Sequence, residues 1–110
     1  MITTHILDTT LGKPARGVPI ALEKQAGNEW KPVGAGVTDD DGRLKTITPP
    51  GPVEPGIFRI RFDTGHYFAA TGTKGFYPYV EVVFEIVDGA AHYHVPLLIN
   101  PWGYSTYRGS

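Results

Sequence analysis

No cysteine occurs among the 110 residues. Disulfides and thiolate metal sites are therefore excluded, and packing alone has to hold the fold together. Nor does any apolar run approach the roughly 18 uninterrupted residues of a membrane-spanning helix. Neither sign of charge dominates: ten Lys and Arg stand against eleven Asp and Glu, a formal net charge of -1. The two signs are mixed along the chain, so no nucleic-acid or membrane partner is expected. The opening residues, Met-Ile-Thr-Thr-His, put no basic segment ahead of an apolar stretch. No secretory leader is read there, and a cytoplasmic location is expected, or a periplasmic one if a leader has been trimmed.

Glycine (14) and proline (10) are abundant, and they fall between apolar runs rather than in a block. That distribution predicts one domain over residues 1–110, all-β and rich in turns. Strands are predicted at Ile2–Leu7, Val18–Glu23, Trp30–Thr38, Ile57–Phe62, Val80–Val87, His92–Ile99 and Tyr104–Arg108, with a short edge strand at Leu44–Ile47. The period of two is clean in Ile57–Phe62, where Phe58, Ile60 and Phe62 alternate with Ile57, Arg59 and Arg61. One short helix fits His66–Thr71, capped by Asp63 or Thr64 and ended by Gly72. Seven or eight short antiparallel strands make a β-sandwich the natural architecture.

Alternation also sorts the polar residues. In Ala91–Leu98, Tyr93, Val95 and Leu97 suit a core, so His92, His94, Pro96 and Leu98 take the opposite face. His5 likewise shares a face with Thr3 and Leu7. A paired His-x-His suits zinc only with further ligands, and the chain supplies only His5 or acids at unknown distance. Taken alone, such histidines read as solvated side chains, and Arg43 reads as a hairpin arginine after the Asp39–Gly42 turn. That turn lacks calcium-loop spacing. Ser105 and Ser110 lack the G-x-S-x-G setting of a hydrolase elbow. Composition and spacing stop at a β-sandwich with histidines on one sheet face.

Four blocks go further: THILDTTLGKPARGVPIAL (Thr4–Leu22), TDDDGR (Thr38–Arg43), FRIRFDTGHYFAATG with FYPYVEVVFEI, and HYHVPLLINPWGYSTYRGS (His92–Ser110). Together they resemble the transthyretin superfamily from end to end, and within it the 5-hydroxyisourate hydrolases. The Tyr-Arg-Gly-Ser at residues 107–110 is similar to that branch's signature. Hormone-carrying transthyretins lack it, and also lack the counterparts of His5, Arg43 and His94.

The resemblance implies a transthyretin-like (prealbumin) sandwich, assembled as a homotetramer with sites at the dimer–dimer interface. It implies hydrolysis of 5-hydroxyisourate to 2-oxo-4-hydroxy-4-carboxy-5-ureidoimidazoline in urate breakdown, with no metal or organic cofactor. Its catalytic residues carry over as His5 and His94, an acid–base pair of undecided order, Arg43 for substrate and oxyanion, and Ser110, which holds substrate or water through its hydroxyl or terminal carboxylate. Tyr107 would wall the pocket and plug the central channel. Leu7, Pro96, Leu98 and Gly109 complete the substrate surface. His92 shares the face but lies nearer the rim, and is left out of the set. The alternative is a transthyretin-like small-ligand carrier without catalysis.

Overall fold

Ile2, Thr4, Ile6 and Asp8 alternate along the first strand, β1 (Ile2–Asp8), and all four are buried. Tyr93, Val95, Leu97 and Ile99 do the same along β8 (Tyr93–Asn100). The computed structural model, which describes residues 1–110, lays these two strands side by side. With β2 (Lys13–Pro14), β5 (Arg43–Leu44) and β9 (Gly103–Thr106) they make one sheet, in the order β2-β1-β8-β9 with β5 also beside β1. The second sheet, in the order β4-β3-β6-β7, comprises β3 (Pro19–Ala26), β4 (Glu29–Val37), β6 (Gly56–Phe62) and β7 (Val80–Ile86). Leu22, Ile60 and Phe62 from this sheet meet Ile6 and Leu97 from the first in one continuous core.

The expected strand pattern holds with amendments to the number, direction and length of the strands. There are nine strands, two of them only two residues long, and β1 runs parallel to β8. Hairpin turns dictate direction only between consecutive strands. β1 and β8 lie at opposite ends of the chain, so no hairpin links them. The edge strand expected at Leu44–Ile47 is also shorter, reaching only Arg43–Leu44, and the last strand, expected at Tyr104–Arg108, spans Gly103–Thr106.

The single helix, α1 (Thr64–Ala70), starts without the expected side-chain cap: Asp63 makes no capping bond, and the buried Thr64 hydroxyl has no partner. Its anchor is lateral. The Tyr67 hydroxyl donates to Asp8 Oδ2 at 2.7 Å, and the Gly65 N–H donates to the Pro78 carbonyl at 3.0 Å. Burial and the Asp8 carboxylate hold the Tyr67 hydroxyl protonated far above its ordinary range.

Candidate active site

The outward faces of β1 and β8 meet in register. Thr3 pairs with His94, His5 with Pro96, and Leu7 with Leu98. Directly paired residues put their side chains on the same face, so both histidines look out of the same side of the sheet.

Arg43 joins them through the turn before β5. Asp39 Oδ1 accepts the N–H groups of Asp41 (2.9 Å) and Arg43 (3.0 Å), folding the turn onto its first residue. Gly42 then passes hard against β1, and its carbonyl accepts the Ile6 N–H at 2.8 Å. A Cβ at Gly42 would stand 2.4 Å from the Ile6 carbonyl oxygen, and φ there is +72°. Only glycine fits both demands. The outcome is that Arg43 pairs directly with His5.

The final segment reaches the same face by a different route. β8 turns through Pro101-Trp102 into β9, where Leu97 pairs with Thr106. The ladder lapses at Tyr107 and Arg108, then resumes where the Gly109 N–H donates to the His94 carbonyl at 2.8 Å, still in the original register. Hydrogen-bonded pairs alternate along an antiparallel ladder. The pair that drops out is Pro96 with Tyr107, because proline has no N–H to give. The Pro96 carbonyl takes the Thr106 hydroxyl instead, at 2.7 Å. A Cβ on Gly109 would lie 2.6 Å from His94 Cδ2 and 3.1 Å from Pro96 Cγ, so glycine is again required. Alternation sends Arg108 to the opposite face, where it makes no ion pair. Its guanidinium lies 4.4 Å over the Tyr93 ring, which offers a π face at that position.

Two adjoining hollows open on this surface, sharing His94 and Ser110. One, of about 280 Å³, is polar and takes in Thr3, Arg43, Lys45 and His92. The other, of about 210 Å³, takes in His5, Leu7, Pro96, Leu98, Tyr107 and Gly109. All nine expected site residues therefore lie along this double hollow. A more apolar hollow of about 330 Å³ lies between Val82, Phe84 and Tyr93. It is lined by His94 and Tyr107 as well, but includes none of His5, Arg43 and Ser110.

Burial and the Arg43 guanidinium, in that order, lower the His94 pKa below its ordinary 6.5, with His92 and His5 adding to the effect. Burial and then Arg43 lower His5 in the same way, against a smaller opposing pull from the Asp41 carbonyl and the carboxylates of Asp39 and Asp41. Both imidazoles are thus neutral near pH 7, able to take a proton at one nitrogen and give one at the other.

Sequence reading gave Thr3 no part in the site and left His92 at its rim. The Thr3 hydroxyl lies 2.7 Å from His92 Nε2 and 2.8 Å from His94 Nδ1. His92, set aside as a rim residue, is one hydroxyl away from His94. The signal was there in part, since Thr3 and His5 share a face, but only the β1–β8 register sets Thr3 opposite His94.

A model of the HIUase/Transthyretin family matches residues 2–109, and the chain belongs to that family. It is 46% identical over 110 residues to the 5-hydroxyisourate hydrolase of Salmonella typhimurium, covering all of this chain and 81% of that protein. A structure of Klebsiella pneumoniae 5-hydroxyisourate hydrolase superposes with a TM-score of 0.87 at 35% identity, covering 99% of this chain and 98% of that one. Sea bream transthyretin in complex with thyroxine superposes with a TM-score of 0.92 at 30% identity, covering 98% and 93%. The shared architecture is the transthyretin-like β-sandwich.

Proposed function

We propose that this chain is a hydrolase that opens the ring of 5-hydroxyisourate, with His5, Arg43, His94 and Ser110 as its working residues. One observation carries the assignment of the site: two imidazoles and one fixed guanidinium, which together with burial favours their neutral forms, brought together in one double hollow. The reaction adds water to a ring amide carbonyl and breaks the adjoining C–N bond. One neutral histidine takes the proton of the attacking water, and the other protonates the departing nitrogen. Arg43 holds the carbonyl-rich substrate and stabilises the oxyanion. A positioned donor of that kind is worth about 3 kcal/mol. The Ser110 hydroxyl, set beside His94 by the Gly109 bond, holds substrate or water. Leu7, Pro96, Leu98 and Tyr107 wall the apolar side.

Fold alone does not separate this reading from a carrier, since the thyroxine-bound transthyretin superposes with the higher TM-score. The site residues favour the enzyme. Freshly made 5-hydroxyisourate, generated from urate by urate oxidase in the cuvette, should lose its absorbance far faster when the protein is present. A decay no faster than the spontaneous one would leave the carrier.

Assembly as a homotetramer with two-fold symmetry in each direction belongs to the same proposal. Both hollows open to solvent on the single chain, and Tyr107, at 60% exposure, lines the one that holds His5. A facing copy would close them. Light scattering should give four chains per particle, and a stable, active monomer would remove this part of the proposal.

A further inference from the structure

Thr3 sits between two imidazoles. Its hydroxyl is within hydrogen-bond distance of His92 Nε2 (2.7 Å) and His94 Nδ1 (2.8 Å), and the residue is only 6% exposed. The two rings differ in setting: His94 is half-buried in the site, whereas His92 is exposed. A hydroxyl has one proton to donate and lone pairs to accept with. Two arrangements therefore satisfy all three groups. In the first, Thr3 donates to Nδ1 of His94 and accepts from Nε2–H of His92, so His94 carries its proton on Nε2. In the second, His94 donates through Nδ1–H and Thr3 donates to Nε2 of His92, leaving Nε2 of His94 bare. The Cδ2 edge of His94, which adjoins Nε2, lies against Gly109 at the side of the hollow where Ser110 sits.

We infer that Thr3 and His92 form a proton relay that lets His94 gain or lose a proton at Nε2 without itself becoming a cation. The inference rests on His94 being one of the two acid–base groups proposed above. From the second arrangement, a proton leaving the attacking water arrives at Nε2 of His94. The proton on Nδ1 passes to Thr3 Oγ1, and the hydroxyl proton of Thr3 passes to Nε2 of His92. Thr3 ends with one proton, as it began, and His94 stays neutral. The positive charge rests on His92, which returns a proton to solvent from Nδ1. Run backwards, the same chain supplies a proton to the leaving nitrogen. The charged and titratable neighbours favour this direction of traffic. Arg43 and His5, paired across β5 and β1, lie on His94's face of the sheet, so a cation on His94 would form beside a fixed positive charge, whereas Lys45 and Met1 line the hollow that both rings share and favour neither. A cation on His92 forms where water reaches it. Thr3 and His92 are thus positioning residues, acting on substrate only through His94.

Thr3→Val keeps the shape and removes the hydroxyl, and Thr3→Ser restores it. In Thr3→Val, kcat should fall about tenfold or more with KM nearly unchanged, the scale of an impaired acid–base group. Rates in mixtures of light and heavy water should respond with curvature in the wild type, as several protons move together, and linearly in Thr3→Val. Thr3→Ser should recover both. Nitrogen-15 spectra of the His94 ring, taken without substrate, should show its tautomer balance altered in Thr3→Val and restored in Thr3→Ser. An active wild type whose Thr3→Val variant keeps full kcat and a curved isotope response would overturn the relay. If the wild type does not turn over 5-hydroxyisourate, the proposed activity falls on its own, and an unaltered His94 tautomer in Thr3→Val then overturns the relay separately. Should Thr3→Val not fold, His92→Phe takes its place, and a curved isotope response in that variant is the overturning result.

Discussion

Thr3 and Thr4 are neighbours on β1, both buried, and their hydroxyls do opposite things. Thr4 faces the core and donates to the Val95 carbonyl at 2.6 Å, a bond with one donor and one acceptor that nothing near pH 7 can change. Thr3 faces the double hollow and lies between two rings that each accept or donate according to tautomer. The contrast extends along both strands. On the inner face, Asp8 is committed to the Tyr67 hydroxyl and to the N–H groups of Thr10 and Leu11. On the outer face, His5, Arg43 and His94 line open space. One pair of strands thus carries two kinds of polar chemistry: inside, every group is used up by the fold, and outside, groups keep protons and charge free to act.

The sharpest way to break this contrast is to trade the two faces' roles by mutation. Ile6→Ala, on the inner face and fully buried, should cost about 3–4 kcal/mol of stability through lost burial and a cavity. Denaturant unfolding measures it, and a loss under 1 kcal/mol would mean that the inner face is not the structural one. On the outer face the signs should reverse. His94→Asn and Arg43→Ala should each lower kcat/KM at least ~100-fold, about 2.7 kcal/mol of barrier, while the thermal midpoint stays near that of the wild type. A variant that unfolds instead would erase the division between faces. Removing Gly109 and Ser110 should come next, with about a tenfold loss of kcat/KM and no loss of fold, since one backbone bond to His94 is all that ties them to β8. Full activity without them would end the site at Tyr107.

Face and partner are different kinds of information, and only the first was readable beforehand. A period of two assigns each residue to a side of its strand. That was enough to separate Tyr93, Val95 and Leu97 from His92, His94, Pro96 and Leu98. It does not say which strand lies alongside, because pairing depends on the whole sheet. The resemblance to a known family brought His5, Arg43 and His94 together, but Thr3 escaped it. A threonine in a strand is ordinary, and its role exists only because the parallel register sets it opposite His94. The lapse at Tyr107 follows from Pro96 for the same reason. Its missing donor matters only once β9 is known to be its partner.

The smallest effects test the electrostatics that separate the faces. Arg43→Ala removes the second-largest cause lowering both histidines, so both should titrate nearer 6.5, with burial still holding them below it. Proton or nitrogen NMR titration reads this without substrate, and unchanged titration would dissociate Arg43 from the pair. The same depressed values fix a sign for stability. Unfolded histidines bind protons at about pH 6.5, and the folded ones only below that. The unfolded state therefore holds more protons as pH falls through about 6.5 and onward to the folded values, and stability should decline over that window. A midpoint that rose on acidification from pH 7 to 6 would contradict it.

The parallel union of β1 with β8 also sets a timetable on the ribosome. β1 is made first, and the strand that covers its flank is nearly the last to emerge. At typical rates of about 5–20 residues per second, the wait is on the order of ten seconds. Through that interval the first strand, with Ile2 and Ile6 on its core face, has an open edge, and the turn residues of β2 and β5 are its only early neighbours. An unpaired edge is an invitation to join another chain's strand. The nascent protein is thus most exposed to mispairing at the very segment that carries His5, and truncated products lacking β8 should be aggregation-prone as well as inactive.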